Sequence, residues 1–132
     1  MYMAVASKII FSWATDYKYS GSRSVKISST DPIGKGRWMT GRNIAVTPGG
    51  SYSFNTYVKT SGMGKAYMYV SFWNSAMGYI SGSSTLSKSG TNNWVQIQGR
   101  AVAPAGAAYA RIEERLDGAG TAWFDAVTFM TP

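Results

Sequence analysis

The chain has 132 residues, enough for one domain with a sizeable core, and its 45% hydrophobic and 14% aromatic content excludes a disordered chain. It contains neither cysteine nor histidine, which excludes disulfides, thiolate or His-ligated zinc, Ser-His-Asp and Cys-His catalysis and His pH switching. The formal charge is +7, from 13 Lys and Arg against six acids, but no run of basic residues occurs, which suits a solvated surface as well as an anionic partner.

Met3–Ala6 and Ile9–Trp13 are apolar pieces broken by Ser7 and Lys8, and read as one strand or two short ones. The N-terminal MYMAVASKIIF lacks the basic start and long apolar core of a signal peptide. No stretch approaches the roughly 18 apolar residues of a spanning helix, so no membrane partner is expected. After a polar connection holding Asp16, Tyr17 and Tyr19, RSVKIS at Arg23–Ser28 alternates with period two. TDPIGKG at Thr30–Gly36 is turn chemistry, and Arg37–Val46 reads as a strand with a bulge at Gly41.

The turn Thr47–Gly50 leads into Ser51–Lys59, where Tyr52, Phe54, Thr56 and Val58 share one face. Lys65–Trp73 alternates again: Ala66, Met68, Val70 and Phe72 face one way, and Tyr67, Tyr69, Ser71 and Trp73 the other. A short strand follows at Gly78–Ser81, then a polar loop over Gly82–Asn93. Trp94–Ala103 sets Val95 and Ile97 against Gln96 and Gln98, and Ala108–Leu116 sets Ala110 and Ile112 inward against Tyr109, Arg111, Glu113 and Arg115. The last strand, Gly120–Met130, carries the lone carboxylate Asp125 in an apolar run, either a hydrogen-bonded structural residue or a ligand for a hard cation such as calcium. No segment keeps a helical period, and about eight or nine strands in one domain, residues 1–132, predict an all-β, two-sheet antiparallel sandwich.

SGSRSVKIS (Ser20–Ser28), VTPGGSYSFNTYVKT (Val46–Thr60), NWVQIQ (Asn93–Gln98), APAGAAYARIE (Ala103–Glu113) and GTAWFDAV (Gly120–Val127) occur in that order. Together they resemble the galactose-binding-like β-jelly-roll carbohydrate-binding modules, the group that includes families four, nine, sixteen and twenty-two. The resemblance runs from Trp13 onward. It implies a jelly roll, non-catalytic binding of a neutral or anionic polysaccharide or oligosaccharide, and an extracellular or cell-surface setting as a monomeric domain of a larger chain. It also implies a structural calcium ion with Asp125, and Asp16 by position, as oxygen donors. Two departures bear on that ion: the Asn-Gly-acidic opening strand is absent, and Ala126 stands where a second acid often follows the Phe-Asp pair.

In a jelly roll successive strands tend to alternate between sheets. One sheet then takes Arg37–Val46, Lys65–Trp73, Gly78–Ser81 and Ala108–Leu116, and the other takes Arg23–Ser28, Ser51–Lys59, Trp94–Ala103 and Gly120–Met130. The outer face of the first gathers Tyr67, Tyr69, Trp73, Tyr79, Arg111, Glu113 and Arg115, joined by Trp38, as the expected carbohydrate site. Aromatic rings stack on sugar C–H patches, and Arg and Glu meet hydroxyls. The same residues also serve as ordinary cross-strand pairs. The outer face of the second sheet, with Asn55, Tyr57, Lys59, Gln96, Gln98 and Arg100, is polar and poorer in aromatics. Trp13 falls at a loop edge where an exposed indole can stack on a sugar, whereas Trp94 and Trp123 are expected in the core.

Catalysis has little support, because Glu113 and Glu114 are neighbours on a strand and point to opposite faces. A structural or protein-interaction module of a large adhesin-like surface protein is the alternative. Nucleic-acid binding, which wants a basic stripe, is not expected.

Overall fold

The computed structural model describes residues 2–3, 9–21, 23–39 and 43–130. Residues 4–6 of the first apolar piece, and the bulge expected at Gly41, lie outside them. The strands are β1 (Tyr2–Met3), β2 (Ile9–Ala14), β3 (Ser24–Ser29), β4 (Lys35–Met39), β5 (Ile44–Ala45), β6 (Ser51–Ser61), β7 (Lys65–Trp73), β8 (Tyr79–Ser84), β9 (Asn92–Val102), β10 (Tyr109–Asp117) and β11 (Gly120–Met130).

A six-stranded sheet, sheet A, runs β1-β4-β10-β7-β8, with β5 pairing β10; a five-stranded sheet, sheet B, runs β2-β3-β11-β6-β9. All pairs are antiparallel. From β3 onward the chain alternates between sheets except at β4–β5 and the β7–β8 hairpin, so the expected sheet membership holds strand for strand. The all-β sandwich follows directly from the period-two patterns.

In β6, Tyr52, Phe54, Thr56, Val58 and Thr60 are buried and the residues between them are not. In β7, Ala66, Met68, Val70 and Phe72 form the inner face. The core has two lobes. One packs Ile27, Trp38, Val58, Ile97, Leu116 and Phe124; the other packs Tyr52, Phe54, Val70, Phe72, Ala110 and Ile112. Full burial of a Phe of this kind contributes roughly 1.5–3 kcal/mol.

The turns at one end of the sandwich meet closely. A Cβ on Gly120, at φ 142°, would come within 2.6 Å of the Ser61 carbonyl oxygen. Only glycine allows β11 to start there beside the β6–β7 turn.

Candidate functional site

Sheet A turns a patterned outer face to solvent. Its middle strand, β10, presents Arg111, Glu113, Arg115 and Asp117. These lie opposite Ser71, Tyr69, Tyr67 and Lys65 of β7, and Glu113, Arg115 and Asp117 lie opposite Met39, Arg37 and Lys35 of β4. Antiparallel register thus brings side chains distant in sequence to adjacent points of one surface.

The groups hold each other in place. The Arg115 guanidinium lies 3.8 Å over the Tyr69 ring and donates from Nη2 to Glu113 Oε2 at 3.2 Å. The hydroxyls of Tyr69 and Tyr79 are 2.7 Å apart, and the Tyr79 ring meets Trp73 edge-on at 5.5 Å. Trp73 donates from Nε1 to Ser71 Oγ at 2.8 Å, and Arg111 sits 5.0 Å over the Trp73 ring. At the far end the Tyr67 hydroxyl donates to Asp117 Oδ2 at 2.8 Å, while Arg37 donates from Nη1 to Asp117 Oδ1 at 2.6 Å.

Burial, then the Tyr79 hydroxyl, pushes the Tyr69 phenol up to about 12, and burial followed by Asp117 raises Tyr67 too. Both therefore stay protonated, and each keeps a hydroxyl proton to donate, at neutral pH. Two depressions, of about 510 Å³ and 450 Å³, lie along this face and share Tyr69 and Arg115 as their common wall. The first reaches Trp73, Tyr79 and Glu113; the second reaches Tyr67 and Leu86.

Seven of the eight expected residues share this face: Tyr67, Tyr69, Trp73, Tyr79, Arg111, Glu113 and Arg115. The eighth, Trp38, does not. Alternation along β4 puts Lys35, Arg37 and Met39 outside and Gly36 and Trp38 inside. Trp38 is only 6% exposed, packs in the core and meets Trp13 edge-on at 5.2 Å.

One contributor to the face escaped the sequence. Residue 82 falls in the expected polar loop, yet β8 continues to Ser84 and a Cβ at Gly82 would overlap the Tyr69 hydroxyl. The bare backbone at Gly82 is what lets the Tyr69 ring lie across β8 to reach Tyr79. The only sequence signal was an isolated glycine after a strand pattern.

The outer face of sheet B is also richer than expected. The loop of residues 15–21 folds over it, stacking Tyr19 on Tyr57 at 3.8 Å and setting Tyr17 edge-on to Trp123 at 5.1 Å. Tyr19 also meets Trp94 edge-on at 6.1 Å, so Trp94 is a half-buried outer-face residue rather than a core one. Trp123 is buried, at 7% exposure, but beneath this loop; its strand neighbours Ala122 and Phe124 are the ones that enter the core.

Asp125 is the clasp of the same loop. Its Oδ2 accepts the N–H groups of Tyr19 at 2.9 Å and Ser20 at 3.0 Å, and its Oδ1 accepts the N–H of Ala126 at 2.7 Å. Asp16 accepts from Lys26 Nζ at 3.1 Å, from the Tyr17 N–H at 2.9 Å and from Trp123 Nε1 at 3.3 Å. For Asp16, slight desolvation is outweighed by the Lys26 and Tyr17 donors, which hold the carboxyl below the usual carboxylate range.

These two acids do not fit the calcium role expected of them. Calcium takes six to eight oxygen ligands. Here both carboxylates are turned to N–H donors, and among the described residues no three or more acids cluster where a metal ion could sit.

A further cleft, of about 510 Å³, opens between the sheets beside Trp13, Trp38 and the β11 irregularity at Ala126. Glu114 lines it. Alternation turns Glu114 inward between the two core lobes, where it is 2% exposed and, among the described residues, its Oε2 has no hydrogen-bond partner. Burial, with the adjacent Glu113 charge a smaller cause, pushes its carboxyl up to about 8.

No protein-family model matches the chain, and no curated protein matches it in sequence. Solved structures share its fold. The enzymatically active domain of bacteriophage CBA120 tailspike protein 4 aligns with a TM-score of 0.79 at 12% identity, over 98% of this chain and 19% of that one. A family 16 carbohydrate-binding module aligns at 0.66 and 13% identity, over 91% and 84% of the two chains. The CBM22-1 xylan-binding domain from Paenibacillus barcinonensis Xyn10C aligns at 0.67 and 13% identity, over 98% and 85%. The chain thus spans about a fifth of the tailspike structure's chain and most of each module. It has the fold of the β-jelly-roll carbohydrate-binding modules.

Proposed function

We propose that the protein is a non-catalytic carbohydrate-binding module whose sheet A face holds a polysaccharide chain and tethers a larger parent protein to it. The observation that carries this reading is the pair of depressions joined at Tyr69 and Arg115, an elongated surface of fixed rings and charged hydrogen-bonding groups. Rings held by their own contacts lose little entropy when a sugar stacks on them. The fold shared with a xylan-binding domain and other carbohydrate-binding modules supports the same reading.

The acids on this face support binding rather than hydrolysis. Glu113 and Asp117 are four residues apart on one strand, about 13 Å. That exceeds the roughly 5–9.5 Å that separates a glycosidase pair. Each is also engaged, Glu113 with Arg115 and Asp117 with Arg37. Lys35, Arg37, Arg111 and Arg115 outnumber these acids on the face, so uronate-containing chains belong beside neutral xylan, mannan and β-glucan as ligands. An extracellular or cell-surface setting goes with this reading.

The test is a glycan array at two salt concentrations, followed by affinity gels with Trp73→Ala and Tyr69→Ala. Each variant should weaken retention at least about tenfold, the equivalent of one lost stacking contact of roughly 1–1.5 kcal/mol. Full retention by both variants would move the site off this face. A folded protein that binds no glycan would point instead to a protein-interaction module.

A further inference from the structure

The inward positions of β10 are Ala110, Ile112, Glu114 and Leu116, three apolar residues and one acid. An unpaired buried carboxyl oxygen is costly, and among the described residues no group pairs with Oε2. A leucine would fit the pattern better. Glu114 lines a cleft whose size is within the range of roughly 300–1,000 Å³ typical of small-molecule sites, and its Oε2 lies just beneath the cleft surface.

Two further features converge there. Trp13 stands at the mouth, 52% exposed, edge-on to Trp38 and with the Arg23 guanidinium 4.1 Å over its ring. Opposite, Ala126 adopts a left-handed backbone at φ 52°, which is strained for a residue with a Cβ.

We propose that this cleft is a second ligand site, which takes one neutral hydroxylated ring of the sugar class, free or at the end of a chain, between Trp13 and the Glu114 carboxyl. The chemistry selects that class. A protonated carboxyl offers one donor and one acceptor, and Arg23 offers donors only. The indole walls suit C–H surface. An organic cation would meet Arg23 and a chain of net charge +7. A purely apolar ligand would leave the carboxyl unpaired. A hydroxylated ring satisfies wall, carboxyl and guanidinium together. The site adds to the glycan reading of sheet A but stands on different residues, so the two can fail separately.

Calorimetry and tryptophan fluorescence with free glucose, galactose, mannose, xylose and arabinose, and with their linear oligomers, test it. At least one of these sugars should bind, with Trp13→Ala and Glu114→Leu each weakening it about tenfold or more. Glu114→Leu should melt no lower than the parent, which separates lost binding from lost folding. In the Trp73→Ala background, which removes a sheet A ring, the monosaccharide binding that persists should be weakened by Trp13→Ala and by Glu114→Leu. Oligomers with blocked ends separate a chain end from a free sugar. The proposal falls if no sugar perturbs the tryptophans, if Glu114→Leu keeps full binding, if Trp73→Ala abolishes monosaccharide binding, or if tetramethylammonium binds and sugars do not.

Discussion

The two outer faces of the sandwich use the same residue types to opposite ends. On sheet B, Tyr19 lies flat on Tyr57 and Tyr17 stands against Trp123, so the aromatic surface is spent on docking the loop of residues 15–21. On sheet A the rings are steadied by side chains of their own sheet, Arg115 on Tyr69 and Arg111 on Trp73, and two depressions remain between them. Aromatic content alone therefore does not mark a binding face. Under the proposed reading, what marks it is whether the rings are covered by the chain's own loops or only braced from the side.

The largest test of that contrast is stability. Trp123→Ala should cost roughly 3–5 kcal/mol, as for a buried tryptophan, and leave glycan affinity intact. Trp73→Ala should cost about 1 kcal/mol and lose affinity. Urea denaturation beside affinity gels reads both, and equal costs would erase the distinction between the faces.

Next comes a pH effect that separates the exterior of sheet A from its interior. Glu113 meets Arg115, whereas burial makes Glu114 hold its proton to about pH 8 when folded. The unfolded chain releases that proton near 4.5. Between these values the folded state binds more protons, so the Glu114 contribution to stability is fully present below about 4.5 and is lost as pH rises through about 8. The slope should be roughly 1 kcal/mol per pH unit and should vanish in Glu114→Leu. An unchanged slope in that variant would place the effect elsewhere.

The smallest expected effect is zero. Because the Asp125 carboxylate already accepts three N–H groups, calcium or a chelator should leave the melting temperature unchanged. Asp125→Ala should lower stability by roughly 1–3 kcal/mol through the unpaired amides. Stabilisation by calcium would show that the carboxylate turns away from its amides to meet a cation.

The sheets were legible because period-two alternation is local: Ser51–Lys59 and Lys65–Trp73 carry their inner faces in their own order. Seven of the outer-face residues followed from the same parity. Trp38 faces inward because its strand is short and begins at an exposed Lys35, a start that the pattern of Arg37–Val46 alone does not carry. The family resemblance places Trp94 in the core, and Trp123 is indeed buried, but the cover for both comes from Tyr19 and Tyr17, far away in sequence. The inward direction of Glu114 was implicit in the alternation of Ala110 and Ile112. That an acid would sit there unpaired, beside a cleft, was not, because clefts depend on how the sheets part.

The irregularity in β11 is where they part, and it is a parity switch. Before it, Ala122 and Phe124 point inward; after it, Val127 and Phe129 do. Asp125 pairs with Tyr57 and Thr128 with Asn55, so two residues, Ala126 and Val127, stand against the single Thr56, whose Oγ1 donates to the Asp125 carbonyl at 2.9 Å. Without Ala126 the strand would read AWFDVTFM, with even alternation from end to end and each core residue still facing in. One inserted residue thus divides β11 into a half that clasps the outer loop and a half that closes the second core lobe. The opening between the sheets is the seam where the two halves meet.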